Sequence, residues 1–269
     1  MALFDWWQYD FMRSALLAVV LLAPLFAMLG TLVVDNGMAF FSDALGHSAL
    51  TGVALGMMIS AARYEWIMLL FAAVFALAMN RIRHSRIGST DTVIGVFSSV
   101  GVALGLVLLS GRGDTAGYQS LLIGDVLSIT KTELWALGAV LLVTAVVWAL
   151  LFNGLHAVGI SPALARSKGI PVRLLDDLFV VLVAAVVMLA IRWVGLLLIN
   201  AMLILPAAAA RNVSRGMRRY HLLTLIFGLF SGVLGLLLSY YNGVSTGPLI
   251  ILVQAAIYFS TFLCRSKTA

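Results

Sequence analysis

An aspartate and a histidine stand four residues apart inside a long apolar run of this chain. They are Asp43 and His47, in the stretch FSDALGHSALTGVALG at residues 41–56. A spacing of four places two side chains on one face of an α-helix. A carboxylate oxygen and an imidazole nitrogen are ligands suited to Zn²⁺, and also to Mn²⁺ or Fe²⁺. The pair therefore predicts a cation site within a hydrophobic segment.

The depth of the pair in that segment favours a functional role. If the helix begins near Met38, Asp43 lies roughly 8 Å and His47 roughly 14 Å along it, so the histidine reaches about the middle of a bilayer. An ionisable group at that depth is costly unless it has a partner, and it commonly marks an ion pathway. The alternative is that the two side chains only pair with each other or with a neighbouring helix. Small residues between Ala44 and Gly56 leave room for a second backbone or a pathway.

Two ligands do not close a tetrahedral site, and a transport pathway needs an open or shared one because a tightly held ion cannot leave. Two further polar residues are weaker candidates for such a pathway. Asn200 is deep in an apolar run, where an interhelical hydrogen bond is the alternative role. Asp125 lies in an external segment, where it either attracts cations or caps a local turn.

The elements that must position these residues are transmembrane helices. Of the 269 residues, 62% are hydrophobic and only 10% are charged, which is too little polar surface for a water-soluble globule. Apolar runs of about 18 to 24 residues are each long enough to cross about 30 Å of hydrocarbon. They predict an all-α, polytopic membrane protein in which residues 1–269 form one transmembrane domain of about eight to nine spans. The runs lie near 14–34, 38–61, 64–80, 91–110, 132–152, 174–191, 194–211, 220–240 and 247–264.

Basic residues set the expected orientation of these spans. Clusters at 81–86, 166–173, 211–219 and 265–267 all fall on one side of the layout, which is expected to be the cytoplasm. An N-terminus outside and a C-terminus inside follow. The net charge of +6 is therefore explained by cytoplasmic loops, and we expect no nucleic-acid partner.

Two connections depart from simple loops. The external one, 111–131, contains an apolar stretch from Leu121 to Leu127 that is too short to span and is expected to form a short re-entrant segment. The connection 153–173 is the longest predicted internal loop. Between Pro162 and Gly169 it has helix formers for two short turns, with proline at the start and glycine at the stop. A short helix there would be accessible to a partner protein.

Several enzyme motifs are absent from the sequence. It contains no GxxxxGK[ST] phosphate loop, no HExxH and no Gly-x-Ser-x-Gly. The chain is therefore not expected to be an enzyme of the common membrane-hydrolase kinds, nor to use ATP by itself in the P-loop manner.

Six stretches carry a consistent set of motifs in one order along the chain. They are SDALGHSALTGVALG (42–56), TDTVIGVFSSVGVALGLVLLS (90–110), LLIGDVLSIT (121–130), ISPALARSKGIPV (160–172), VGLLLINAMLILPAAAAR (194–211) and SYYNGVSTGP (239–248). Together they resemble the permease subunits of metal-ion ATP-binding-cassette importers of the zinc, manganese and iron uptake type.

The resemblance implies a homodimer in a bacterial inner membrane, with separate ATPase subunits that use ATP on the cytoplasmic face. It also implies an extracytoplasmic metal-binding protein that delivers the ion. Asp43 and His47 match the family residues taken to line the metal path, and a dimer that faced both copies toward a shared axis would supply two carboxylates and two imidazoles. The residues that match the ATPase-coupling helix are Ser161, Pro162, Ala163, Leu164, Ala165, Arg166, Lys168 and Gly169.

Two positions bear on which metal is transported. Ser99 stands where some zinc-type relatives carry a histidine, so a ligand seen there is missing, although the position remains a possible pathway residue. Thr51 precedes Gly52 where manganese and iron relatives tend to have a proline, which favours Zn²⁺. Transport of Mn²⁺ or Fe²⁺ by the same kind of importer is the first alternative. An ion-driven secondary metal transporter is an alternative of a different class.

Overall fold

The computed structural model describes residues 5–59, 64–84, 89–110 and 125–265, and every regular element in these ranges is helical. Two short 3₁₀ helices cover Asp5–Gln8 and Val126–Ser128. The α-helices are α1 Asp10–Asp35, α2 Ala39–Ile59, α3 Tyr64–His84, α4 Thr90–Ser110, α5 Lys131–Ile160, α6 Pro162–Ser167, α7 Val172–Val194, α8 Leu196–Val213, α9 Met217–Asn242 and α10 Thr246–Arg265.

Among the described residues, eight helices are long and apolar enough to cross a membrane. The remaining long helix is α2, whose hydropathy is lowered by Asp43 and His47 and by the serines beside them. The expected all-α polytopic fold is thus confirmed. Residues 121–124 of the predicted re-entrant segment, and Arg86 and Lys267 of the basic clusters, lie outside the described ranges.

One predicted boundary is wrong. The span expected to end near residue 152 continues as α5 to Ile160, so the predicted long loop is mostly helical. Gly154 lies inside this helix on the side that faces α7, where a built Cβ would lie 2.8 Å from Leu175 Cδ1.

The helices fall into two compact units. The first comprises Met1–Gly37, Ile123–Ala149 and Trp193–Ala269. In it α1 packs against α8 and α9, and α10 packs against both of those helices. Its core is built on large α1 side chains that are fully buried, among them Leu22, Leu25, Phe26 and Leu29.

The second unit comprises Met38–Leu122 and Leu150–Arg192. Here α2 packs against both α3 and α4. The approach of α4 is close because Gly101 and Gly105 face α2: a Cβ at Gly101 would lie 3.0 Å from Ser48 Cβ, and one at Gly105 would lie 2.7 Å from Leu50 Cβ. The small residues that flank Asp43 and His47 in the sequence thus serve to bring other helices against α2.

Candidate metal-ion site

The position of Asp43 and His47 follows from where α2 begins. Helix α2 starts at Ala39, after Gly37 adopts a positive φ of 63°. At 1.5 Å per residue, Asp43 is about 6 Å and His47 about 12 Å along a helix that is about 30 Å long. The pair therefore lies in the second and third turns of the helix, beyond its first turn.

The two side chains lie against each other on one face of the helix. His47 Nε2 is 3.6 Å from Asp43 Oδ2. A cation bound by both atoms at the usual distances of about 2.0 to 2.2 Å would have an N–metal–O angle of about 120°, close to tetrahedral. The pair can therefore hold one transition-metal ion with little rearrangement.

The face of α2 that carries Asp43 and His47 is its open face, the one that α3 and α4 do not cover. From residue 41 to residue 54, only Asp43 and His47 are not buried. Their side chains are 44% and 30% exposed, whereas Ser42 and Ser48 beside them are fully buried. Helices α3 and α4 thus cover the small and apolar residues of α2 and leave the two ligand-type residues accessible.

The histidine ring is only partly satisfied by hydrogen bonds within the described residues. His47 Nδ1 is buried and has no hydrogen-bond partner there. Leaving a buried polar atom unpaired is costly. Nε2 is the ring nitrogen that faces Asp43.

Among the described residues of one copy, two ligand-type side chains meet here. Within the part of the chain that the structure describes, no group of three or more histidine, cysteine, aspartate or glutamate side chains is arranged to hold a metal ion. A tetrahedral ion bound here needs two more ligands from elsewhere. The arrangement is that of an open site.

The other pathway candidates have different surroundings. Asn200 lies in the second turn of α8 with its Oδ1 atom buried. Asp125 caps the 3₁₀ helix at Val126, because its Oδ1 accepts a hydrogen bond from Leu127 N at 3.0 Å. Ser99 is exposed on α4. The structure therefore supports the capping role of Asp125, one of the two that the sequence left open.

The three histidines other than His47 each have a defined contact. His156 is 8% exposed, and its Nδ1 contacts the carbonyl of Phe152 at 2.8 Å. His221 Nδ1 lies 3.0 Å from Thr31 Oγ1. His84 is largely exposed, and its Nε2 lies 3.5 Å from Asp176 Oδ2.

The predicted short helix is present as α6. Ser161 caps it by accepting a hydrogen bond from Leu164 N at 3.3 Å, Pro162 occupies its first turn, and Gly169 follows it with a positive φ of 75°. Leu164 is 55% exposed and Ala165 is buried, so one apolar side chain projects from the helix while another anchors it. Such a helix can dock onto a partner.

One supporting contact was missed from the sequence. Thr51 Oγ1 donates a hydrogen bond to the carbonyl oxygen of Gly101. This bond ties α2 to α4 one turn beyond His47. The sequence indicates Thr51 only for its bearing on metal preference, because a sequence does not show which backbone carbonyl a buried hydroxyl contacts.

The model of the ABC 3 transport family matches residues 8–265. The chain belongs to the ABC 3 transport family. This family assignment confirms the resemblance seen in the six motifs, and a member of this family is a membrane transport permease and not an enzyme.

Curated relatives and a solved structure match nearly the whole length of this chain. The "Manganese transport system membrane protein MntC" of Halalkalibacterium halodurans is 29% identical, covering 97% of this chain and 89% of its own length. The "High-affinity zinc uptake system membrane protein ZnuB" of Haemophilus influenzae is 30% identical, covering 97% of this chain and all of its own. The structure of "PsaBC from Streptococcus pneumoniae in complex with Fab" superposes with a TM-score of 0.84 at 28% identity, covering 95% of this chain and 92% of that chain.

Proposed function

We propose that this permease moves a divalent transition metal into the cytoplasm along a path lined by Asp43 and His47. Zn²⁺ is the favoured cargo. The observation that carries the proposal is the pair itself: a carboxylate and an imidazole 3.6 Å apart on a helix whose other residues from 41 to 54 are buried. The relatives named for manganese and for zinc support a metal cargo.

The choice of zinc rests on ligand chemistry and on Thr51. Imidazole nitrogen suits zinc better than it suits manganese, which prefers oxygen ligands. Thr51 stands where manganese and iron relatives tend to have proline. Manganese remains the alternative cargo, because relatives at nearly equal identity carry each metal in their names. Iron is a further alternative of the same class.

A homodimer would complete the site. With two ligands from each copy, a cation on the axis between two permeases would meet two carboxylates and two imidazoles, enough for a four-coordinate ion. The exposure of Asp43 and His47 in one copy supports this arrangement, since a completed single-chain site would be closed. Asn200 and Ser99 are proposed as secondary contacts along the path.

Energy would come from separate ATPase subunits docked at α6. Exposed Leu164 and the basic side chains Arg166 and Lys168 form the proposed contact. The chain has no phosphate loop of its own, so ATP binding and hydrolysis would be carried out by the partner. Movement of α6 would then switch the path between outward and inward access.

The proposed location is the bacterial inner membrane, with α6 and the C-terminus on the cytoplasmic side. An extracytoplasmic metal-binding protein would dock outside, over the region of Asp125. The concentration of arginine and lysine on the side of α6 supports this orientation.

The test is reconstitution of the permease in proteoliposomes with its ATPase and binding protein. We expect uptake of radioactive zinc that requires ATP and both partners, with manganese competing weakly. Stronger competition by manganese than by unlabelled zinc would reassign the cargo. Equal uptake without ATP or ATPase, driven by an ion gradient, would instead identify a secondary transporter.

A further inference from the structure

The ends of α3 and α7 meet in a polar cluster separate from the metal site. Asn80 is 2% exposed, and its Nδ2 lies 2.9 Å from Asp176 Oδ2 and 3.0 Å from Asp177 Oδ1. Its Oδ1 accepts a hydrogen bond from Arg83 Nη2 at 2.9 Å. Arg81 Nη2 is 2.6 Å from Asp177 Oδ2. These five residues, which we name the Asn80 cluster, use both amide hydrogens of Asn80 to bridge two carboxylates.

The Asn80 cluster is not a solvated run of charges. The side chains of Arg83 and Asp176 are only 12% and 14% exposed, and they lie 3.3 Å apart. Partly buried ions lose hydration, so they persist only where geometry and hydrogen bonds compensate. Adjacent carboxylates on α7 would repel each other without the amide and guanidinium groups of α3. The cluster therefore acts as a specific link between the two helices.

The opposite ends of the same two helices are also joined. Glu65 in the first turn of α3 forms an ion pair with Arg192 in the last turn of α7. The Arg192 guanidinium also lies 5.0 Å from the centroid of the Tyr64 ring. Helices held at both ends in this way are restrained to move as one body.

This helix pair connects α6 to α2. At one end, Ile170 N donates to the carbonyl of Ala165 at 3.1 Å, so the segment between α6 and α7 is short and hydrogen bonded. At the other, a Cβ built at Gly52 would lie 3.3 Å from Met68 Cγ on α3 and 3.6 Å from Met188 Cε on α7. Gly52 follows His47 by little more than one turn. The link from α6 thus runs through α7 to the part of α2 that lies little more than one turn beyond His47.

We propose that the Asn80 cluster transmits the movement of α6 through the joined α3 and α7 to α2, and so couples ATP hydrolysis to metal release. Asn80, Asp176 and Asp177 are positioning residues in this scheme and do not touch the ion. The inference rests on the proposed function, in particular on α6 as the ATPase contact.

The test measures metal uptake and ATP hydrolysis side by side in the reconstituted importer. In Asn80→Leu, a change of similar volume that removes the bridge, the metal imported per ATP hydrolysed is expected to fall about tenfold. ATPase binding and hydrolysis are expected to stay within about twofold. The control is Arg215→Ala, which removes an exposed arginine from the α8–α9 connection and should leave the ratio unchanged.

A second pair of variants, in which the charges of Asp177 and Arg81 are exchanged, distinguishes loss of coupling from simple misfolding. Asp177→Arg alone is expected to lose coupling, whereas Asp177→Arg with Arg81→Asp should restore most of it by rebuilding the pair in reverse. An unchanged ratio in Asn80→Leu would overturn the inference. So would a parallel loss of uptake, hydrolysis and assembly that the exchange does not rescue. A wild-type complex without ATP-dependent uptake would overturn the proposed function as well, so the two failures are distinguishable.

Discussion

The Nε2 atom of His47 lies 3.6 Å from the Oδ2 atom of Asp43, one turn earlier on α2, and both side chains are on the face of the helix that α3 and α4 leave open. Two mixed ligands that are close together and incompletely enclosed can bind a metal briefly and then release it. A fully enclosed four-ligand cage would store the ion. The geometry therefore fits passage better than storage.

The two ligands should contribute differently to metal preference. His47→Gln replaces a nitrogen ligand with an amide oxygen, which suits manganese better than zinc. We expect zinc uptake to fall about tenfold, a change of about 1.4 kcal/mol, and manganese uptake to fall less. Competition assays with both metals would measure this. Asp43→Asn should reduce both metals similarly, while Asp10→Asn, at an exposed carboxylate on α1, serves as the control. Equal losses of both metals in His47→Gln would contradict a role of the ring in selectivity.

The close packing of α4 on α2 should be sensitive to one methyl group. At Gly105, an added Cβ would lie 2.7 Å from Leu50 Cβ and 2.9 Å from the Thr51 backbone nitrogen, so a helix must shift. We expect Gly105→Ala to cost about 1 to 3 kcal/mol of stability. Gly95→Ala on the same helix meets nothing within 4 Å and is the matched control, with a neutral or slightly stabilising effect. Thermal unfolding in detergent would compare them, and equal melting temperatures would show that α2 and α4 are less tightly packed.

The placement of Asp43 and His47 on one helix face could be predicted from the sequence, because charge stands out in an apolar segment and a spacing of four sets the face. The short helix α6 was identifiable for a similar local reason, since Ser161, Pro162 and Gly169 are boundary signals that act within a few residues. Local signals of this kind do not depend on the tertiary fold.

Features set by distant contacts could not be predicted. The extension of α5 past Gly154 to Ile160 and the burial of His156 within that extension are not marked by any local signal in the sequence. The bridge from Asn80 to Asp176 joins residues far apart in sequence, where each appears to be an ordinary polar residue at the end of a span. No periodicity in the sequence links such partners.

The exposed side chain of α6 should matter for the ATPase contact. Leu164→Ser removes an apolar group that is 55% exposed and leaves the Ser161 cap intact. We expect ATPase binding to weaken by about 1 to 2 kcal/mol, about 5- to 30-fold. Ser167→Ala, which removes only a hydroxyl bonded within the helix to the Leu164 carbonyl, is the control. The affinity of the ATPase for each purified permease variant would be measured. Undiminished affinity in Leu164→Ser would place the docking surface elsewhere.

A buried contact near one end of α1 should contribute to stability in the first unit. Thr31 is 1% exposed, and its hydroxyl lies 3.0 Å from His221 Nδ1. Thr31→Val keeps the shape but removes this hydroxyl partner, at an expected cost of about 1 to 2 kcal/mol. Thr132→Val, at an exposed position in the first turn of α5, should be near neutral. Chemical denaturation in detergent would show the difference, and matching curves would mean that the hydroxyl contact contributes no net stability.

Passage of the metal along Asp43 and His47 can be measured as ATP-dependent zinc uptake in proteoliposomes containing the Asp43→Ala, His47→Ala double variant, assembled with its ATPase and binding protein. We expect uptake to be lost while the complex still assembles and still hydrolyses ATP. Zinc uptake at the wild-type rate in the double variant would show that the metal takes another path.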